Sequence, residues 1–129
     1  MRAIDTNVIV RFLTADDAAQ AQAARKVLAG GDIFVSLTVL LETEWVLRAG
    51  YGLNVMEIVE ALRALAGLPG VSIENPAQLA LALDWTGKGM DFADALHLAG
   101  ANHCAAFVSF DRKLAKHAKT LATTPVVVP

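Results

Sequence analysis

Acidic side chains recur in this 129-residue chain where short apolar runs give way to the segments that follow them. Asp5 follows the apolar run at the amino terminus, and Asp111 follows the run AFVSF. Asp91 and Asp94 stand three residues apart in KGMDFADALHLAG, a spacing that places both on one face of a helix. Glu42 lies in the apolar segment SLTVLLETEWVLRAG. Carboxylates at such places either cap helices or form a functional site.

Capping is the simpler interpretation for the acids that precede predicted helices. Either Asp5 or Thr6 would cap the first helix, because a short side-chain oxygen there accepts a hydrogen bond from a free backbone N–H. Asp91 stands in the same relation to the next acid-bearing helix, whose amino terminus also favours negative charge. Asp94 is harder to explain in this way, since its neighbours Ala93, Ala95 and Leu96 indicate a buried helix.

Glu42 and Glu44 fall on different sides of a helical wheel, on which successive residues are about 100° apart. Glu42 shares its side with apolar residues, namely Val39, Trp45, Val46 and Ala49. Glu44 shares its side with Arg48, so we predict that Glu42 faces the core and Glu44 the solvent. An inward carboxylate must be paired, protonated or metal-bound, because burying it bare costs several kcal/mol. A salt bridge from Glu42 to Arg48 or Arg11 is the alternative to a metal.

Strands and helices alternate along the chain. Short apolar runs bounded by turn residues predict five strands, at 3–5, 33–35, 71–73, 106–110 and 126–128. Helical periodicity predicts helices at 8–13, 16–29, 38–49, 55–66, 77–85, 92–103 and 112–121. Continuous rather than alternating apolar strands indicate a parallel sheet covered on both faces. The predicted fold class is α/β, with three α/β/α layers, a central parallel sheet of about five strands, and a single domain over 1–129.

Composition limits the environment and the partners. Apolar residues form 55% of the chain and the mean hydropathy is +0.46, which predicts that another chain covers part of the surface. No apolar run approaches the roughly 18 residues needed to span a bilayer, and Asp5 and Arg11 interrupt any signal-peptide pattern, so we expect no membrane partner and a cytoplasmic location. The lone Cys104 is expected to be a small buried residue without a role.

A net charge of −2 argues mildly against nucleic-acid binding. Acids gathered around a divalent cation would nevertheless leave the remaining surface near neutral, because the metal cancels their charge. The segment RKLAKHAK also forms a local basic patch that includes Arg112 and Lys113. An ordinary solvated helix face is the simpler interpretation of that patch.

Convergence on a metal explains all the acids at once. In parallel sheets, ligands bind beyond the carboxyl ends of the strands, where Asp5 and Asp111 stand. Several carboxylates within a few ångströms cannot all stay ionised without a cation, because like charges raise their pKa values. Oxygen-only ligands match Mg²⁺ or Mn²⁺, and such an ion can activate a water and neutralise a phosphodiester. No Ser, Cys or Lys nucleophile is placed beside a general base, so the acids predict a metal-dependent nuclease.

Four segments resemble the PIN-domain ribonucleases, and specifically the VapC-type toxins of type II toxin–antitoxin pairs: DTNVIVRFL, VLLETEWVLR, MDFADALHLA and VSFDRKL. Their order and spacing match over essentially the whole chain. The resemblance implies that four acids are catalytic and hold Mg²⁺ or Mn²⁺: Asp5, Glu42, Asp94 and Asp111. It makes Asp91 an accessory acid, with the choice between Asp91 and Asp94 as direct ligand left open. It also implies that three small polar residues hold the carboxylates or the scissile phosphate, namely Thr6, Asn7 and Ser109.

The same resemblance implies an RNA substrate, bound with the help of Arg112 and Lys113, and a homodimer. It also implies a cognate VapB-type antitoxin, which the two predicted helices between Thr38 and Ala66 would suit. A haloacid-dehalogenase-type phosphatase is excluded because it needs a second Asp at position 7, where Asn7 stands. A receiver domain is excluded because the third strand ends on Glu74 rather than on an Asp. The remaining alternative is a non-catalytic PIN-fold interaction module, which the loss of one of the four acids would have favoured.

Overall fold

Five short strands alternate with seven α-helices in the computed structural model, which describes residues 1–129. The chain divides into two compact units, Met1–Pro76 and Ala77–Pro129. The elements of the first unit are β1 (Arg2–Ala3), α1 (Thr6–Thr14), α2 (Ala18–Ala29), β2 (Ile33–Val35), α3 (Leu37–Trp45), a π-helical turn (Val46–Gly50), α4 (Val55–Ala66) and β3 (Val71–Ile73). Those of the second are α5 (Pro76–Gly87), α6 (Phe92–Gly100), β4 (Phe107–Val108), α7 (Arg112–Leu121) and β5 (Val126–Val127).

A three-stranded parallel sheet in the order β1-β2-β3 organises the first unit. Strand β2 is central, with Ile33 opposite Val71 on one side and Arg2 on the other. Both edges of β2 are paired, and the side chains of Ile33 and Val35 are fully buried. Helices α1, α3 and α4 contribute buried side chains to the same unit, including Ile9, Leu40 and Leu62.

Helix ends in the first unit follow the capping signals of the sequence. Asn54 and Glu57 form the predicted capping box at the start of α4, with each side chain accepting from the backbone N–H of the other. Ser36 caps α3 by accepting a hydrogen bond from the Val39 N–H at 3.3 Å. The caps therefore fix where both helices begin, and α4 has the predicted bounds.

The second unit consists of three helices and a two-stranded parallel ladder of β4 and β5. Leu79, Leu83, Phe92 and Leu98 are buried in its core. Trp85 Nε1 donates a hydrogen bond to the Leu121 carbonyl oxygen at 3.1 Å, so the indole ring is buried with its polar atom satisfied.

The α/β class and the parallel pairing of the strands are confirmed. The prediction of one sheet of about five strands is corrected, because the strands form a ladder of three in one unit and a ladder of two in the other. Strands β1, β4 and β5 contain only two residues each, and each forms a ladder along one edge only. The single domain over 1–129 stays a prediction. None of the helices is long and apolar enough to cross a membrane.

Two glycines allow β2 and β3 to begin side by side. Gly31 and Gly70 have φ angles of 69° and 80°, and the Ile33 N–H donates to the Gly70 carbonyl oxygen at 2.8 Å. A Cβ atom at position 70 would lie 2.7 Å from the Gly31 Cα atom, closer than real Cβ contacts allow. Two backbones therefore approach here because neither residue has a side chain.

We predict that Gly70→Ala destabilises the protein more than Gly52→Ala. Gly52 has a φ of 68° but no atom near its Cβ position, so alanine there should cost only the left-handed backbone, about 1–2 kcal/mol. Gly70→Ala adds a collision with backbone, worth a further ~1–3 kcal/mol. Chemical denaturation of both variants measures the difference, and equal losses would contradict the close approach.

Candidate functional site

Asp5 and Asp91 cap helices, as the simpler interpretation of the sequence predicted. Asp5 Oδ1 accepts a hydrogen bond from the Thr6 N–H at 2.8 Å at the start of α1. Asp91 Oδ2 accepts from the Asp94 N–H at 3.1 Å at the start of α6. Both carboxylates are exposed, and each has about four acceptor positions, of which the cap uses one. Capping therefore orients these groups without consuming their capacity to bind something else.

Asp111 also caps a helix, at the start of α7. Its Oδ1 atom accepts from the backbone N–H groups of Lys113 and Leu114, both at 3.0 Å. The backbone N–H of Asp111 donates to Ser109 Oγ at 3.0 Å. Ser109 thus holds the backbone that carries this carboxylate, a role close to the one that the resemblance implied for it.

Thr6 and Glu42 meet in the first unit. Thr6 Oγ1 donates a hydrogen bond to Glu42 Oε1, and the Thr6 side chain is buried while Glu42 is exposed. Because Thr6 follows Asp5 directly, this hydrogen bond links the amino terminus of α1 to the acidic residue of α3. The structure therefore connects two of the predicted acids through one of the predicted small polar residues.

The predicted orientation of Glu42 and Glu44 is wrong. Glu44 is only 6% exposed and pairs with Arg48, whose Nε atom lies 2.8 Å from Glu44 Oε2, whereas Glu42 and Trp45 are exposed. The buried side of α3 and of the π-helical turn that continues it instead carries Leu40, Thr43, Glu44 and Leu47, at the i, i+3, i+4 and i+7 spacing of a core-facing stripe. The helical wheel assigned the wrong side to the core because both sides of this helix carry apolar residues.

A neighbour four residues away lets Glu44 lie on the buried side. Arg48 remains partly exposed, so its guanidinium neutralises the Glu44 carboxylate at the margin of the core. The i,i+4 spacing of the two residues is the signal that could have identified this pair from sequence. Arg11, the other predicted partner of Glu42, pairs instead with Asp16 at 3.1 Å and donates to Tyr51 Oη at 2.9 Å.

In the second unit, burial and two neighbouring carboxylates act on Asp94. Asp94 is half-buried, and burial raises its pKa above the usual range for an aspartic acid. The negative charges of Asp91 and Asp111 raise the pKa of Asp94 further, whereas His97 acts in the opposite direction. The ionised form of Asp94 is therefore disfavoured where it stands, by a protein environment that a cation would reverse.

The donor set fits a hard divalent ion in its chemistry. Within each unit, no three His, Cys, Asp or Glu side chains are arranged to hold a metal. The acids in question nevertheless supply only oxygen donors, and the charges of Asp91 and Asp111 disfavour the ionised form of Asp94. Oxygen donors without His or Cys match Mg²⁺ and Mn²⁺.

Basic side chains follow Asp111 along α7. Arg112 and Lys113 are exposed in its first turn, and Lys116 and Lys119 are exposed farther along. The four ion pairs of the structure all involve other residues. The helix therefore presents cations that no acidic side chain neutralises.

Asn7 is exposed in the first turn of α1, where it lines a cleft of about 410 Å³ together with Val8, Arg11, Gln20, Ala23, Ala24 and Val27.

The expectation that Cys104 is buried is wrong, since the thiol is free and exposed. It lies between α6 and β4, and α6 ends at Gly100 rather than at the predicted residue 103.

The model of the PIN domain family matches residues 3–120 of this sequence, across all the segments described above. The chain belongs to the PIN domain family. Its resemblance to PIN-domain ribonucleases is thereby confirmed, and the family is typically one of nucleases. Among curated proteins, none matches this PIN domain significantly.

One solved structure that is similar to this PIN domain is the crystal structure of Mycobacterium tuberculosis VapC20, a Sarcin-Ricin loop cleaving toxin. The two chains are 19% identical, and the likeness covers 90% of this chain and 94% of that one, with a TM-score of 0.44.

We predict that Asp94→Asn raises the melting temperature of the metal-free protein. A pKa raised by folding means that the ionised group destabilises the folded state at neutral pH, and an amide removes that charge. The matched control is Asp84→Asn in the same unit, where the exposed carboxylate pairs with Lys88 at 3.2 Å. Its melting temperature should stay the same or fall slightly. A lower melting temperature for Asp94→Asn, measured at pH 7 with a chelator, would contradict the repulsion.

Proposed function

We propose that this PIN domain is a Mg²⁺- or Mn²⁺-dependent endoribonuclease and the toxin of a VapBC-type pair. The observation that carries the proposal is the half-buried position of Asp94, where burial and the charges of Asp91 and Asp111 raise its pKa. A chain gains nothing in stability from such an arrangement, since like charges and burial both oppose ionisation. Crowded carboxylates are instead the ligands that a nuclease needs for a divalent cation.

The proposed ligands are Asp5 and Glu42 from the first unit and Asp94 and Asp111 from the second, with Asp91 as an accessory acid. Support for combining them comes from the family match, which runs through both units and so also supports a single domain over 1–129. When bound, a divalent cation would activate the attacking water and neutralise charge on the scissile phosphodiester.

The remaining residues of the proposed site orient the carboxylates or bind the RNA. Thr6 holds the Glu42 carboxylate by its hydroxyl, and Ser109 holds the backbone of Asp111. We assign Asn7, which is exposed one residue beyond Thr6, to the scissile phosphate or the neighbouring carboxylates. Arg112 and Lys113 would bind RNA phosphates, because their charges are exposed and have no acidic partner.

The antitoxin surface that we propose is the outer side of α3 and the start of α4. Trp45 is 58% exposed there, and Tyr51, Val55 and Met56 are also exposed. Large exposed apolar side chains that lie close together in the sequence are typical of protein–protein contacts. We further propose that the protein is a homodimer that acts in the cytoplasm.

Asp5→Asn is predicted to abolish RNA cleavage while leaving the fold intact. Asparagine caps helices as well as aspartate does, so the hydrogen bond to the Thr6 N–H is retained and only the charge is lost. We expect cleavage in Mg²⁺ or Mn²⁺ to fall by about two orders of magnitude or more, the scale of removing one electrostatic group from a hydrolytic site.

Asp17→Asn provides the matched control for that experiment. Asp17 caps α2 by accepting from the Gln20 N–H at 3.0 Å, so it has the same residue type and the same structural role outside the proposed site. Its variant should cleave RNA like the wild type. Full activity of purified Asp5→Asn would remove Asp5 from the site, and wild-type protein without any cleavage would favour a non-catalytic interaction module.

Metal binding should also appear as a change in stability. Because an ion bound only to the folded protein stabilises it by mass action, Mg²⁺ or Mn²⁺ at ten times its Kd should add about 1.4 kcal/mol to the free energy of unfolding. Thermal melts of chelator-treated protein with and without added metal measure this gain, and Asp94→Asn should show less of it. An unchanged wild-type melt at saturating metal would mean that the acids do not converge.

A further inference from the structure

Phe110 is the most exposed large apolar side chain of the protein, at 82%. It lies between β4 and α7, directly before Asp111. An aromatic ring in contact with water on nearly all sides contributes little to the stability of the fold, because it buries almost no surface. Stability therefore does not explain why an aromatic residue lies beside Asp111, a proposed metal ligand.

The backbone on both sides of Phe110 is fixed. The Ser109 N–H donates to the Val127 carbonyl oxygen at 3.0 Å, which ties the end of β4 to β5. The Asp111 N–H donates to Ser109 Oγ, and the Asp111 carboxylate caps α7. These hydrogen bonds thus hold the residues on both sides of Phe110 in place. A ring presented in this way loses little conformational freedom when something binds to it.

The charges next to Phe110 identify what would bind. Arg112 and Lys113 follow it within three residues, and they remain unneutralised along with Lys116 and Lys119 of the same helix. Val108 and Val127, which face each other in the ladder, are exposed as well, so an apolar protein partner is the competing occupant. A row of free cations beside the ring favours a polyanion with aromatic groups over an apolar surface.

We infer that Phe110 stacks on an unpaired base of the RNA, next to the phosphodiester that is cut. The inference rests on the proposed function and extends it by naming a residue that selects single-stranded RNA. Proteins that bind single strands combine cations that follow the backbone with aromatic rings on which bases stack. A base inside a duplex already stacks on its neighbours, so Phe110 would favour loops and other unpaired segments.

Binding to RNA without cleavage tests the stacking directly. The probe is a single-stranded RNA of about 12 nucleotides, within the range that one such site covers, mixed with protein in a chelator. Phe110→Ala should weaken binding by about fivefold to 150-fold, the equivalent of losing one base–aromatic stack. Phe110→Trp should bind as the wild type does, and the new indole fluorescence should be quenched on addition of RNA. A duplex of the same length should bind wild type and Phe110→Ala alike.

Val108→Thr is the matched control, because it changes an exposed apolar side chain on the strand that precedes Phe110 and keeps a β-branched residue. Its affinity for the single strand should stay within about twofold of the wild type, the scatter expected of a surface substitution. In the cleavage assay, Phe110→Ala should raise KM more than it lowers kcat. The melting temperature of each variant should remain unchanged, since Phe110 is exposed.

The outcomes separate the stacking from the nuclease proposal. Wild-type protein that binds the single strand but does not cut it in Mg²⁺ or Mn²⁺ refutes the nuclease, and the binding series still decides the stacking. Unchanged affinity of Phe110→Ala for the single strand overturns the stacking even if cleavage is normal. Loss of self-association in Phe110→Ala with unchanged RNA affinity overturns it in favour of an apolar protein contact.

Discussion

The burial of Asp94 beside other acids is the constraint on which the proposed site depends. Asp94 is half-buried, and burial together with the negative charges of Asp91 and Asp111 raises its pKa. The fold accommodates the repulsion because α6 and α7 each begin at an acidic residue whose backbone position is fixed by the helix that it caps. Stability and charge are therefore opposed within one small region, a conflict that proteins tolerate where a site needs it.

Helix capping and metal binding are compatible uses of the same side chain. Asp5, Asp91 and Asp111 each accept hydrogen bonds from backbone N–H groups at the start of a helix through one carboxylate oxygen, and each residue is exposed. Capping thus performs the positioning that would otherwise require additional residues around the site. The cap is observed at these residues, and the metal-binding role stays a proposal for the same side chains.

The sequence predicted what depends on local patterns and failed where three-dimensional packing decides. The strands at 33–35 and 71–73 and the helices at 55–66 and 112–121 have the predicted bounds, because glycines, caps and apolar runs mark them. Glu42 and Glu44 were assigned to the wrong sides, because a helical wheel orders residues around an axis but cannot choose which apolar side meets the core. Apolar runs also do not show how short the strands are or which strands pair. The five strands therefore form two separate ladders, three strands in one and two in the other, and not the single sheet that was predicted. The apolar run at 106–110 predicts that Phe110 belongs to a covered strand, whereas the structure shows an exposed side chain.

The observed caps and the proposed metal-binding role of Asp5 and Asp111 together have a consequence for how such a protein can change over generations. A single base change in an aspartate codon yields asparagine, which keeps the helix start and removes the charge. One mutational step would therefore separate folding from the proposed chemistry and leave the proposed partner-binding face of α3 and α4 untouched. A gene duplicate altered in this way would still occupy an inhibitor that recognises that face, and so would act as a decoy that sets free its active sibling.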